Sequence, residues 1–391
     1  MGSTRRALVP LQAQSKTVLV LALFLVLYAS LPFIIAPQRF HDMATVDDFA
    51  NYWSAGATVG THVLTNYALL AAWQGAHHLA AQPFVYPPAF AWIYRPFSWL
   101  PPMAGFVAEQ VIMALLFCAC AAVAARIYGF KLWFAIAAVF AWGPTMCTIE
   151  SGQNTGLSLL LNLGAIFGLV TGNKWLLGSS IGLLLFKPTD AAVMILLVLA
   201  RREWRALAMI GAFALFWFVS SVYAAGSDWY WPITYAHTVR DWYALHSGAN
   251  PYMVFTLPTI LLAHGIPEHA VFASSLALLL LSVPLLARAP ALVAGSLAPL
   301  LGLAAAVHAW SYAAALILPA LFFVMTSVPN PQRTRLIALI YALGGIGVAM
   351  SIGGLALTVV CLGGAGWALW TAYKPSGYVW GNVASAKVSA A

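Results

Sequence analysis

Residues 175–205 read WLLGSSIGLLLFKPTDAAVMILLVLARREWR, an apolar stretch that is interrupted at Lys187-Pro188 and ends in a basic cluster. A single membrane crossing here would put the cluster outside, although Lys and Arg collect in cytoplasmic loops. Proline breaks a helix because it lacks an N–H donor and clashes with the preceding turn. We therefore predict two short helices that meet at Lys187-Pro188 and return residues 201–205 to the cytoplasm.

The depth of Lys187 follows from the length of the two arms. Each arm has about 12 residues and climbs only about 18 Å at 1.5 Å per residue, less than the hydrocarbon core of about 30 Å. We predict that Lys187 is a buried cation below the outer surface. The alternative is a lysine whose long side chain reaches the outer interface.

Composition places the whole chain in a membrane. Of the 391 residues, 62% are hydrophobic and 7% are charged, whereas soluble domains have about 25% charged residues. Apolar runs long enough to cross a bilayer recur from Lys16 to Ala372. We predict an all-α polytopic protein of about twelve transmembrane helices, forming a single domain over residues 1–391. The net charge of +8 is expected to set topology and not to bind nucleic acid.

Charge asymmetry gives a predicted topology. Arg5, Arg6 and Lys16 precede the first apolar run, so the N-terminus is predicted in the cytoplasm. The C-terminus is also predicted there, and the protein is predicted to lie in the inner (plasma) membrane. Two long external segments follow, about residues 38–103 and 226–268. Within the first, residues 61–82 are predicted as a surface helix that dips Tyr67, Leu69, Leu70 and Trp73 into lipid. Other predicted helices lie near 104–125, 131–147, 155–172, 206–225, 269–287, 291–306, 311–326, 335–351 and 354–372.

Charged side chains near the outer face are candidates for chemistry, because an unpaired charge in a membrane bundle is costly. Besides the histidines, these are Asp42, Asp47, Asp48, Arg95, Glu109, Glu150, Lys187, Asp190, Asp228, Arg240, Asp241 and Glu268.

Asp48 is the strongest of these candidates. It lies just past the first apolar run, where a carboxylate can accept a proton from an acceptor hydroxyl as general base. The pattern by itself also fits a hydrated loop acid or a helix N-cap.

Several short motifs occur in a common order. They are Asp48-x-x-x-Tyr52, Gly60 with Tyr67, Phe84-Val85-Tyr86-Pro87-Pro88 with Pro96, Ser151-Gly152-Gln153-Asn154, Leu185-Phe186-Lys187-Pro188 followed by residues 201–205, and His308-Ala309-Trp310-Ser311. In this order the chain resembles glycosyltransferase family 87. The resemblance implies the GT-C membrane fold and a polyprenyl-phosphate-mannose-dependent mannosyltransferase.

The resemblance also implies a mechanism. A sugar is transferred directly, with inversion, from a polyprenyl-phosphate donor to a lipid or glycan acceptor, and Asp48 is the catalytic base. Asp47 does not fit the Asp-x-x-x-Tyr spacing. Residues expected to bind the donor phosphate or substrate are Lys187, Gln153, Asn154, His308, Tyr52 and Tyr86. No metal and no cofactor besides the lipid-linked donor is expected, and the expected partners are membrane lipids, donor and acceptor.

Each of these side chains also has a structural interpretation. Gln153 and Asn154 lie at a predicted helix start and could cap it. A lone histidine such as His308 is more often structural, and Tyr86-Pro87-Pro88 is expected to stiffen the loop.

Two other function classes share the broad features. A transporter or lipid flippase also has about twelve helices, a broken helix and intramembrane charge, but we find no repeat between the two halves of this chain. An envelope-polymer ligase would place its catalytic loop later in the chain, and Asp48 would then be incidental.

Overall fold

The computed structural model describes residues 18–24, 26, 41–42, 44–45, 48–246, 256, 258, 261–262, 265–306, 309–327 and 332–349. These residues are helical in large part, with no β-strand among them. From Asp48 onward the helices are α1 (Asp48–Thr58), α2 (Tyr67–Ala76), α3 (Ala91–Tyr94), α4 (Pro102–Tyr128), α5 (Leu132–Phe140), α6 (Gly143–Glu150), α7 (Thr155–Thr171), α8 (Lys174–Leu183), α9 (Pro188–Ala200), α10 (Trp204–Ala224), α11 (Trp231–His246), α12 (Glu268–Arg288), α13 (Ala291–Ala305), α14 (Leu318–Ser327) and α15 (Gln332–Ala349). Short 3₁₀ helices cover Pro88–Phe90, Phe97–Trp99, Leu184–Phe186 and Ser311–Ile317.

Three of the described helices, α4, α10 and α12, are long and apolar enough to cross a membrane. A fourth span is possible if α5 and α6, which are bent by 68° relative to each other, count as one. Shorter apolar helices, α7 to α9 among them, pack between these spans. The prediction of a helical membrane protein is confirmed, while the total of about twelve spans stays a prediction.

Residues 174–200 form the predicted hairpin. α8 and the 3₁₀ turn Leu184–Phe186 lead to Lys187, and α9 starts at Pro188, in the first-turn position that proline tolerates. At the open end, Lys174 Nζ lies 2.6 Å from Glu203 Oε1. The Arg201 guanidinium donates to the carbonyl oxygens of Leu286 and Ala289. The basic cluster and the start of the hairpin therefore lie at one end of the bundle.

The two predicted external segments meet each other. Gly60 N–H donates to the Ala224 carbonyl at 2.7 Å, and the Tyr235 hydroxyl donates to the Val85 carbonyl at 3.1 Å. The Ala89 N–H also donates to Ser221 Oγ at 3.1 Å. The start of α11 and the end of α10 thus lie against the first segment.

Two predicted continuous helices are interrupted. The expected helix 131–147 is broken between α5 and α6, where Trp142 is extended and its Nε1 donates to the Ala314 carbonyl at 2.9 Å. The new helix starts at Gly143, and Pro144 lies in its first turn, where the missing N–H breaks no helical hydrogen bond. The expected helix 311–326 begins as the 3₁₀ segment Ser311–Ile317 and becomes α-helical only at Leu318.

The predicted surface helix 61–82 is shorter than expected, and Leu70 is buried, whereas Tyr67 and Leu69 are exposed. Only Tyr67–Ala76 is helical, and Leu70, which was expected to enter lipid, is fully buried in the protein. Leu70 and Gln74 share a face because they are four residues apart. Gln74 Nε2 donates to Ser54 Oγ at 2.9 Å and to the Gln82 carbonyl at 3.0 Å, so this face is turned toward α1.

The contact between α1 and α3 predicts that Gly56 cannot carry a side chain. A Cβ there would lie 2.5 Å from the Tyr94 carbonyl oxygen, whereas a Cβ at Gly75 of α2 would meet nothing within 4 Å. Gly56→Ala should lower stability by about 1–3 kcal/mol through overpacking, measured by thermal unfolding in detergent. Gly75→Ala, the control, should be neutral or stabilising. Equal unfolding temperatures for the two variants would contradict the packing.

The hairpin predicts that positions 174 and 205 are labelled from the same side of the membrane. In a background without Cys118, Cys120, Cys147 and Cys361, a membrane-impermeant thiol reagent should reach Lys174→Cys and Arg205→Cys only after permeabilisation. His77→Cys, which lies in the first predicted external segment, should react in intact cells. Labelling of position 205 from outside would contradict the predicted topology.

Candidate active site

Asp48 is the first residue of α1 and is half-buried. The helix behind it is held at three points. Asn51 Nδ2 donates to the Pro83 carbonyl at 2.9 Å, Trp53 Nε1 donates to the Leu100 carbonyl at 3.0 Å, and the Arg95 guanidinium donates to the carbonyls of Gly56 and Ala57. Arg95 therefore caps the last turn of α1, a structural use of one of the outer-facing charges. These bonds fix α1 within the first predicted external segment.

A chain of buried polar side chains leads from Asp48 into the protein. Gln153 Nε2 donates to Asp48 Oδ2. Gln153 Oε1 accepts a hydrogen bond of 2.9 Å from the Tyr52 hydroxyl, which lies 2.8 Å from the Tyr86 hydroxyl and accepts from Asn154 Nδ2 at 3.3 Å. Gln153 is fully buried, and Tyr52, Tyr86 and Asn154 are at most 8% exposed.

The turn before α7 delivers Gln153 to this position. Gly152 has a φ of +64°, and a Cβ there would lie 2.9 Å from Phe49 Cβ, so glycine is required by both conformation and space. Asn154 occupies the N-cap position of α7 but its side chain makes no capping hydrogen bond. Both amide side chains instead point to Tyr52, and Gln153 also points to Asp48.

Tyr52 remains a neutral hydroxyl in this environment. Burial raises the pKa of Tyr52 well above its usual value, and the neighbouring Tyr86 and Asp48 act in the same direction. Its ring stacks on Tyr94 with the centroids 4.7 Å apart. The hydroxyl is therefore available as both donor and acceptor.

An aromatic cluster connects this polar chain to the hairpin. Phe90 stacks on Phe186 with the ring centroids 4.2 Å apart and the planes at 5°. Tyr86 lies 5.1 Å from Phe90 and 6.5 Å from Phe186, between centroids. Since Lys187 follows Phe186, the cluster brings the break of the hairpin to Tyr86.

Lys187 faces the site from the break. Its side chain is 17% exposed, and Nζ lies 3.5 Å from Asp190 Oδ2 and 5.8 Å from the centroid of the Tyr312 ring. Lys187 is close enough to Tyr86 and Asp48 for their charges to interact with it. The ammonium and the Asp48 carboxylate therefore belong to one electrostatic environment.

The structure brings together Asp48, Tyr52, Tyr86, Gln153, Asn154 and Lys187. His308 and Asp47 lie outside the described residues.

The sequence did not identify Tyr94 as a site residue. Its spacing to Phe90 and Phe97 shows only that three aromatic residues lie close together along the chain. Asp190 was counted among the outer-facing charges but was not paired with Lys187, although the i, i+3 spacing was visible. Among the described residues, no group of three His, Cys, Asp or Glu side chains could hold a metal.

Residues 84–342, about two thirds of the chain, match the family model for glycosyltransferase family 87. The chain therefore belongs to glycosyltransferase family 87, and with its apolar helices it is a membrane glycosyltransferase. No curated protein and no solved structure gives a significant match. The matched range includes Tyr86, Gln153, Asn154 and Lys187, whereas Asp48 and Tyr52 precede it.

Proposed function

We propose that this glycosyltransferase takes a sugar, mannose, from a polyprenyl-phosphate donor and transfers it with inversion to a hydroxyl of a lipid or glycan acceptor. The observation that carries this proposal is the arrangement of a half-buried carboxylate, Asp48, and a largely buried ammonium, Lys187, at the same end of the bundle. The reaction needs one group of each kind.

Asp48 serves the acceptor. An acceptor hydroxyl attacks the anomeric carbon, a new C–O bond forms, and the hydroxyl proton passes to the Asp48 carboxylate. The bond from the anomeric carbon to the phosphate oxygen breaks on the opposite face, and its electron pair leaves with the phosphate. The products are an inverted glycoside and polyprenyl phosphate.

Lys187 serves the leaving group. Negative charge grows on the phosphate as the glycosidic bond breaks, and a fixed cation nearby lowers the barrier electrostatically. The hairpin places Lys187 within the bundle, where a headgroup attached to a membrane-embedded prenyl chain can approach it. A low local dielectric makes this interaction stronger than in water.

The location of the site supports a lipid donor. The open end of the hairpin carries Lys174 and the basic residues 201–205, which the charge rule assigns to the cytoplasm. Asp48 and the break at Lys187 lie at the other end, where the two predicted external segments meet. We place the site on the outer (periplasmic) side of the plasma membrane, with both termini inside. A donor that is anchored in the bilayer by its prenyl chain can reach a site at this position.

Asp48→Asn is expected to abolish transfer and to leave folding and donor binding intact. The amide keeps the shape of the carboxylate but cannot take up a proton at neutral pH, and loss of a positioned base costs about 10²–10⁴ in rate. The measurement is transfer of labelled mannose from polyprenyl-phosphate mannose to a membrane lipid extract.

Asp47→Asn is the matched control, because it removes the adjacent carboxylate that is off the motif, and it should lose far less activity. Wild-type rates in both variants would show that the base lies elsewhere. Asp228 is a weaker candidate, since its Oδ1 already accepts from the Tyr230 N–H at 2.8 Å in a local turn.

Lys187→Met should reduce transfer by about 2–4 kcal/mol in transition-state free energy, because the length and apolar stem remain while the charge is lost. Lys174→Met is the control, since Lys174 is a partly exposed lysine that pairs with Glu203 at the opposite end. Equal turnover of both variants would make Lys187 a lysine that reaches the interface without acting on the donor.

A further inference from the structure

We infer that Gln153 and Tyr52 are positioning residues that hold the Asp48 carboxylate, and not ligands of the donor or acceptor. This inference rests on the proposed role of Asp48 as general base. It also changes the expected role of the buried glutamine, which the sequence assigned to phosphate or sugar binding.

The direction of the hydrogen bonds follows from the carboxylate. An ionised Asp48 can only accept, so Gln153 must turn its NH₂ group toward Oδ2. The Gln153 Oε1 then faces the Tyr52 hydroxyl, which can only satisfy it by donating. The amide orientation is thus set from both sides.

Tyr52 completes the chain because a hydroxyl has a single proton. Having given that proton to Gln153, its oxygen must accept from its other neighbours, and it does so from the Tyr86 hydroxyl and from Asn154 Nδ2. One path of donated hydrogen bonds therefore runs from Tyr86 and Asn154 through Tyr52 and Gln153 to Asp48. Such chains polarise one another and strengthen the last bond.

Burial leaves this arrangement little freedom. Gln153 is fully buried, and the Tyr52 ring is fixed by its stack on Tyr94. The positive φ of Gly152 fixes the backbone that carries the amide. A substrate that bound the Gln153 side chain would have to break two hydrogen bonds in a dry environment, which is costly. Holding the base is therefore the use that the geometry favours.

A donated hydrogen bond also favours the ionised form of a carboxylate. Other titratable or charged groups that act on Asp48 include Tyr86 and Tyr94 from the loop and α3, Tyr52 from its own helix, and Lys187 from the hairpin. None of these groups is replaced in a Gln153 variant. A shift of the acid limb of the pH–rate profile therefore reports the loss of the hydrogen bond from the Gln153 amide.

The test is the pH dependence of mannose transfer by the full-length protein in liposomes, with polyprenyl-phosphate mannose and a membrane lipid extract. In Gln153→Leu the acid limb should move to higher pH by about one unit, because the ionised base has lost a charge-assisted hydrogen bond. Gln153→Glu should move it further, since a second carboxylate opposes ionisation. Tyr52→Phe should give a smaller shift in the same direction. In all three, kcat falls and the donor KM changes little.

Gln74→Leu is the matched control. Gln74 is also a fully buried glutamine, but it bonds to Ser54 and the Gln82 backbone, so its loss should leave the acid limb in place. An unmoved acid limb in Gln153→Glu and Tyr52→Phe, together with a raised donor KM, would overturn the inference and make Gln153 a substrate ligand. If Gln153→Leu fails to fold, Gln153→Glu still gives the test its answer, because glutamate has almost the same shape as glutamine. Retained transfer in Asp48→Asn would instead overturn the proposed function itself.

Discussion

The stack of Phe90 on Phe186 is the contact on which the candidate site depends. Both rings are at most 1% exposed and lie 4.2 Å apart, nearly parallel. An aromatic pair of this kind contributes about 0.5–1.5 kcal/mol beyond the area it buries. Its larger effect is on position, because Tyr86 lies in the loop just before the 3₁₀ helix that carries Phe90 and Lys187 directly follows Phe186. The stack therefore holds the polar chain from Asp48 in register with the break of the hairpin.

The hairpin could be predicted from the sequence because two independent constraints agreed: the proline at 188 and the charge of residues 201–205. The bend at Trp142 could not be predicted, because Pro144 is compatible with either a kinked helix or the first turn of a new helix. The hydrogen bond from the Trp142 indole to the Ala314 carbonyl, which favours the new helix, is not visible in the sequence. Leu70 shows a second limit. An apolar side chain is equally favourable in lipid and in the protein interior, so the pattern of apolar residues does not show which of the two Leu70 faces.

For the candidate site, the sequence identified the side chains but not their contacts. Asp48 and Gln153 are 105 residues apart, and a glutamine near a helix start is compatible with a cap, a phosphate, a sugar hydroxyl or another side chain. Only the fold excludes the cap and joins the amide to the carboxylate. Tyr94 was missed for the same reason, because its ring stack on Tyr52 is a contact between distant parts of the sequence that only the fold brings together.

The Lys187–Asp190 pair explains how a cation can lie in the bundle and still be available for the role proposed for it. A lone ammonium within the bundle would be costly in free energy. The Asp190 carboxylate, in the first turn of α9, compensates the charge of Lys187. At 3.5 Å the pair lies at the outer limit of hydrogen bonding. The ammonium is therefore stabilised without being tightly bound. In the proposed reaction it can turn toward the donor phosphate as negative charge grows there with the breaking of the glycosidic bond. A direct bond of about 2.8 Å would hold the ammonium against Asp190 and oppose this exchange.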